Sequence, residues 1–174
     1  RLTSSSILPM REDIDQSGLS PGGTWYDLRG SGSSEVPVVM IHGVGLDHTM
    51  WEPQMPALEE AFCVLRYDML GHGQSEARPV KDITTFVRQL EDLLSYLDIT
   101  KMHLVGLSMG GVISQAFAGG APSRLKTLVL MNTVYRRTEE ELTGMRHRLQ
   151  LTREEGFAPI ARAAMERWFD APFK

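Results

Sequence analysis

Short apolar runs punctuate this chain at Val36 to Ile41, Cys63 to Tyr67, Met102 to Leu107 and Leu125 to Met131, and the stretches between them read as helices. A run this short with almost no polar residue has to be buried on both faces, which is the signature of a strand inside a parallel sheet. Parallel neighbours cannot be joined by a tight turn, so each pair needs a crossover, most often a helix. The alternation therefore predicts an α/β fold with a mostly parallel sheet and helices on both faces. With 174 residues and 42% hydrophobic content, the chain can fill one sizeable core.

Residues 1–35 are rich in Ser and Gly, with Thr24-Trp25-Tyr26-Asp27-Leu28 as the best strand and Arg29 to Ser34 as a turn, an antiparallel approach to the sheet. Pro37 belongs near the start of its strand, where no ladder donor is needed. A helix is expected from Met50 to Ala61, and the next strand ends at Asp68 before the turn Gly71-His72-Gly73. Ile83, Phe86, Val87, Leu90, Leu93, Leu94 and Leu97 recur at three- and four-residue steps behind a possible N-cap, Asp82. Met109 to Ala118 reads as a helix that Gly119-Gly120 would shorten or loosen. After Asn132 the pattern changes. Thr138 and Glu141 form a capping box, and two amphipathic helices follow with no strand between them. Residues 1–134 are thus assigned to the sheet-bearing core and 135–174 to the start of a helical lid. Leu142, Met145 and Leu149 stripe the first lid helix, while Ile160, Ala164, Met165 and Trp168 stripe the second. Packing is the first expectation for such stripes, with Met165 and Trp168 as candidates for lining a pocket.

The chemistry centres on Gly106-Leu107-Ser108-Met109-Gly110, a G-x-S-x-G pattern placed where a strand hands over to a helix. Glycines there let a strained turn fit between strand and helix, and Ser108 is held out at the carboxyl edge of the sheet, at a helix N-terminus that favours negative charge. A serine nucleophile needs a base for its proton and donors for the oxyanion it creates. The N–H of Met109 is one expected donor and that of Val44, in His42-Gly43-Val44-Gly45, the other. His42 borders that pocket, and bracing the oxyanion loop is its expected task rather than proton transfer. His72 reads as part of a structural turn, His48 as a pocket-side residue on the loop into the first helix, and His103 and His147 as structural. No H-E-x-x-H, Asp-rich Gly loop, G-x-G-x-x-G or G-x-x-x-x-G-K-[ST] occurs, so no metal and no cofactor is predicted.

A formal net charge of −4 and the lack of a basic stripe argue against a nucleic-acid partner. The single cysteine, Cys63, excludes an internal disulfide framework and is expected to be a buried, inert thiol. No run approaches the roughly eighteen apolar residues of a membrane span, and Arg1 to Met10 lacks a signal-peptide core, so a cytoplasmic location is expected.

Ile41-His42-Gly43, Met50-Trp51, Arg66-Tyr67-Asp68 with Gly71-His72-Gly73-Gln74-Ser75, Val105 to Gly111 and Leu128 to Thr133 together resemble the α/β-hydrolase superfamily. They are most similar to its branch of 3-oxoadipate enol-lactonases and related carboxylesterases. The resemblance implies Ser108 as nucleophile, the N–H groups of Val44 and Met109 as oxyanion hole, and Trp51 as a pocket residue. It also implies a triad acid and histidine on loops after the lid, and these have no counterpart before Lys174, so Asp170 is not taken as the acid. The expected function is hydrolysis of a small carboxylic ester or lactone through an acyl-enzyme, by a chain expected to continue past Lys174 and to be nearly inactive without that continuation. Carbon–carbon bond hydrolysis or perhydrolysis on the same elbow, or an inactive binding form, are the alternatives. Oligomeric state is left open.

Overall fold

The computed structural model describes residues 14–30 and 34–173; the stretch Arg1 to Met10 and the turn residues Ser31, Gly32 and Ser33 lie outside the described residues. Two compact units emerge, Arg1–Val134 and Tyr135–Lys174. The first holds a six-stranded sheet in the order β1-β2-β4-β3-β5-β6. Its strands are β1 (Ile14–Leu19), β2 (Trp25–Gly30), β3 (Val38–Ile41), β4 (Val64–Tyr67), β5 (Met102–Leu107) and β6 (Leu125–Met131). β1 pairs antiparallel with β2, and β2 with β4. From β4 through β3 and β5 to β6 every pairing is parallel.

Side chains alternate between two cores because the strand repeat is two residues. Val39, Ile41, Leu65, Tyr67, Met102 and Leu104 point to one face, where they meet α2 (Ile83–Tyr96) and α3 (Met109–Gly120). Val38, Met40 and Val64 point to the other and pack with Trp51 and Met55. The α2 helix starts where Asp82 accepts a 2.9 Å hydrogen bond from the Thr84 N–H. It buries Phe86, Leu90, Leu93 and Leu94, each worth about 1.5–3 kcal/mol relative to exposure.

Several expectations need correction. The helix expected from Met50 to Ala61 is a 3₁₀ turn, His48–Gln54, followed by the short α1 (Met55–Glu59). Pro53 lies inside the first piece and Pro56 opens the second; a proline has no N–H for the helical ladder but suits a helix start. The strand Ile14–Leu19 was not foreseen, since a mostly exposed strand with a glycine carries no apolar run. Gly119-Gly120 do not shorten α3, which reaches Gly120 and closes with the Ala121 N–H on the Phe117 carbonyl at 2.9 Å. Ile113 and Phe117, essentially inaccessible, hold it by packing that overrides propensity. Cys63 is half-buried against the larger core rather than fully enclosed.

At the other side of the sheet, β6 is the last strand among the described residues, and Leu128, Val129, Leu130 and Met131 are 37–45% exposed.

The second unit consists of α4 (Glu139–Glu155) and α5 (Ala158–Trp168) with a closing 3₁₀ turn. Thr138 and Glu141 form the expected reciprocal capping box, with bonds of 3.2 and 2.8 Å. Neither helix buries a residue. Of the striped residues, Met145, Leu149, Met165 and Trp168 are 40–53% exposed, while Leu142, Ile160 and Ala164 are half-buried. No helix of the described residues is long and apolar enough to cross a membrane.

Candidate active site

The chain leaves β3 for β4 on one side and leaves β5 for β6 on the other, although β3 and β5 are neighbours. Loops that diverge from adjacent parallel strands open a crevice at their carboxyl ends, where α/β sheets bind ligands. Both motifs meet there. A β-carbon placed on Gly43 would lie 3.5 Å from Ser108 Cβ and 3.5 Å from Leu46 Cδ1, so the loop after β3 runs beside the serine.

Ser108 joins β5 to α3 with φ 51° and ψ −112°. For a residue with a β-carbon this conformation costs about 1–3 kcal/mol and persists only where the surroundings impose it. Here the Ser108 N–H donates to the Met131 carbonyl at 2.9 Å, and its own carbonyl accepts the Val112 N–H at 3.2 Å. Close packing does the rest: a β-carbon at Gly106 would run into the Gly110 carbonyl and Ser114, and one at Gly110 into the Ile41 and His42 carbonyls. The side chain of Ser108 is exposed and makes no capping bond to its helix. Met109 follows it as the first residue of α3, where backbone N–H groups have no intrahelical acceptor. Val44, 49% exposed, sits in a turn closed by the Leu46 N–H on the Gly43 carbonyl at 3.2 Å, with Gly45 at φ 76°.

His42 is fully buried, and both ring nitrogens are engaged: Nδ1 lies 2.8 Å from the Gly43 carbonyl and Nε2 accepts the Met69 N–H at 2.9 Å. An Nε2 acceptor requires a neutral ring whose proton is on Nδ1, so Nδ1 donates to Gly43. Burial pushes the imidazole below the usual histidine range. The ring thus ties the loop after β3 to the one after β4. His72 packs 5.3 Å away and its Nδ1 donates to the Leu70 carbonyl at 3.1 Å. His103 bonds Thr127 at 2.8 Å, and His147 is exposed on α4. Among the described residues no hydrogen bond joins a histidine to Ser108.

Two polar assemblies were not visible in the sequence. Asp68 accepts the His48 N–H and ring Nδ1 on one oxygen and the Gln74 N–H on the other, all at 2.8 Å. His48 is buried and lies against Trp25, with ring centroids 4.1 Å apart. Asp47, His48 and Asp68 have ligand atoms within 4.8 Å of one another, but Asp47 is engaged as the cap of Thr49 and Asp68 by the bonds just named. Arg66, 1% exposed, pairs with Asp27 and, at 2.6 Å, with Glu52; Arg29 adds a 2.9 Å contact to Asp27. These ties lock β2, β4 and the 3₁₀ turn together. Trp51 is 2% exposed among Val38, Met40, Met55 and Val64, with no partner for its indole N–H among the described residues. Met165 and Trp168 lie on α5, in the second unit.

The sequence pattern described as alpha/beta hydrolase fold matches residues 36–173. This chain belongs to the α/β-hydrolase fold family. It is 32% identical over 145 residues to 3-oxoadipate enol-lactonase 2 of Acinetobacter baylyi, covering 82% of this chain and 53% of that protein. The crystal structure of the enol-lactonase from Burkholderia xenovorans LB400 superposes with a TM-score of 0.78 at 34% identity, over 86% of this chain and 58% of that one. The 2-hydroxy-6-oxo-6-phenylhexa-2,4-dienoate hydrolase of Rhodococcus sp. strain RHA1 superposes with a TM-score of 0.60 at 30% identity, over 74% of this chain and 49% of that one. The chain spans about half the length of the enol-lactonases it matches.

Proposed function

We propose that the protein is a cofactor-independent serine hydrolase acting on small carboxylic esters or lactones through an acyl-enzyme on Ser108. The observation that carries this reading is the exposed, strained Ser108 at the N-terminus of α3 with the Gly43 loop against it. Ser108 Oγ attacks the carbonyl carbon, the carbonyl oxygen becomes an oxyanion facing the N–H groups of Val44 and Met109, and collapse expels the alcohol while the acyl group stays on Oγ. Water then releases the acid. A general base is required. Both nitrogens of His42 are engaged in the loop brace, and among the described residues no hydrogen bond joins His48 or His72 to Ser108; the base is assigned to none of these three. His42, fully buried, serves this site by bracing the loop that carries Val44.

A lactone or ester is favoured because the similar enol-lactonases carry that activity in their names. Carbon–carbon bond hydrolysis is the second reading, favoured by the likeness to the phenylhexadienoate hydrolase. Turnover of p-nitrophenyl esters, lactones and vinylogous diketones by the full-length protein and its Ser108→Ala variant tests both. Loss of the nucleophile in a triad enzyme lowers turnover by about a millionfold, so a folded Ser108→Ala protein that keeps more than a few per cent of activity contradicts the assignment. Cleavage of the diketones alone selects the second reading.

A further inference from the structure

The geometry points to Thr133 as a positioning residue for the nucleophile and its oxyanion donor, acting through the backbone carbonyl of Ser108; this rests on the reading of Ser108 given above. Thr133 lies just past the end of β6, and its hydroxyl donates a 2.7 Å hydrogen bond to the Ser108 carbonyl oxygen. That oxygen and the Met109 N–H belong to one peptide unit. Because the unit is planar and trans, its C=O and N–H point in opposite directions. A donor that fixes the carbonyl therefore fixes where the Met109 N–H aims, and with it one of the two proposed oxyanion contacts.

The rest of the segment is arranged to keep Thr133 in place. One residue before it, Asn132 has φ 43°, which turns the chain sharply as it leaves β6. On either side the segment is tied to the elbow and its helix: the Met131 carbonyl accepts the Ser108 N–H at 2.9 Å, and the Val134 carbonyl accepts Gln115 Nε2 at 3.1 Å. Approach is close enough that a β-carbon on Gly111 would come within 2.5–2.8 Å of Thr133 Cβ, Oγ1 and Cγ2. Gly111 thus has a task separate from the elbow pattern, which is to admit the threonine. Ser108 needs such support, since its conformation is unfavourable by itself. Among the described residues its carbonyl otherwise keeps only the longer 3.2 Å bond from Val112.

The test compares Thr133→Val, which keeps the shape and removes the donor, with Thr133→Ser, which keeps the donor. Both are made in the full-length protein beside wild type and Ser108→Ala, and read by kcat and KM on a p-nitrophenyl ester and by the rate of modification with an alkyl fluorophosphonate. Removing an oxyanion donor lowers kcat by about a hundred- to a thousandfold, and misaiming one that remains is expected to lower it by about tenfold. The expected result is that fall in kcat and in phosphonylation rate for Thr133→Val, with KM unchanged and Thr133→Ser within about twofold of wild type. If Thr133→Val melts well below wild type, Thr133→Ala takes its place in the comparison with Ser. Wild-type kinetics in the donor-less variant, or equal impairment of the serine variant, overturns the inference. Hydrolysis that survives in Ser108→Ala overturns the underlying reading instead, so the two failures are told apart.

Discussion

Replacing Gly43 separates steric fit from backbone aim at the oxyanion loop. A β-carbon there meets Leu46 Cδ1 and Ser108 Cβ at 3.5 Å and Leu107 Cδ2 at 3.8 Å, all ordinary contact distances, so Gly43→Ala fits without displacement. Valine adds two γ-carbons, each about 1.5 Å further out along a carbon–carbon bond. With three neighbours already at contact distance, the added γ-carbons are expected to press on at least one of them. Leu46 can yield by rotating, but Ser108 Cβ is fixed by the elbow backbone, so the loop has to move. That movement takes the Val44 N–H off the oxyanion site proposed for it, an expected loss of about 2.7–4 kcal/mol in the transition state, or a hundred- to a thousandfold in kcat. Steady-state turnover of a p-nitrophenyl ester, with thermal melting to confirm folding, is the assay. Gly43→Ala should stay within about tenfold of wild type while Gly43→Val falls by about a hundredfold or more. A kinetically silent Gly43→Val, or an alanine variant as poor as the valine one, would refute the two-donor geometry.

Two further expectations follow from buried polar groups. Asp27→Ala leaves the Arg66 guanidinium, 1% exposed, with Glu52 as its remaining ion-pair partner among the described residues; breaking a buried pair typically destabilises by about 3–5 kcal/mol, so urea unfolding should show a loss near the low end, and less than about 1 kcal/mol would mean that the charge is resolvated. His42 is held neutral by burial and by accepting the Met69 N–H, so its folded pKa lies below its unfolded value of about 6.5. The unfolded state then binds the extra proton first, and the stabilisation, complete above about pH 6.5, is lost as pH falls below it. Unfolding free energies measured between pH 7 and pH 5 should decline more steeply in wild type than in His42→Asn; identical slopes would contradict the assignment.

The sheet and the elbow were readable because each depends on local pattern. β5 and β6 start and stop where their apolar runs do, and the glycines around Ser108 announce a close approach that the Ile41, His42 and Gly110 carbonyls supply. What escaped depends on contacts across sequence. β1 is a strand because β2 pairs with it, not because Ile14-Asp15-Gln16-Ser17-Gly18-Leu19 has an apolar face. Pro53 and Pro56 break the helix expected after Met50, and both are local signals in the sequence. Asp27 with Arg66 and His48 with Asp68 are 39 and 20 residues apart, and nothing in either segment marks its partner. Thr133 is of the same kind: its role is set by where β6 ends beside α3, which spacing alone does not reveal.

Covalent trapping decides whether Ser108 is the nucleophile. An alkyl fluorophosphonate reacts with an activated serine by forming an Oγ–P bond and releasing fluoride. Peptide mapping by mass spectrometry then identifies the residue modified while ester turnover is followed in the same sample. One adduct per chain is expected, on the peptide containing Ser108, with activity lost in proportion to its formation. Activity that persists with Ser108 fully modified, or that disappears with the adduct on another residue, would contradict it.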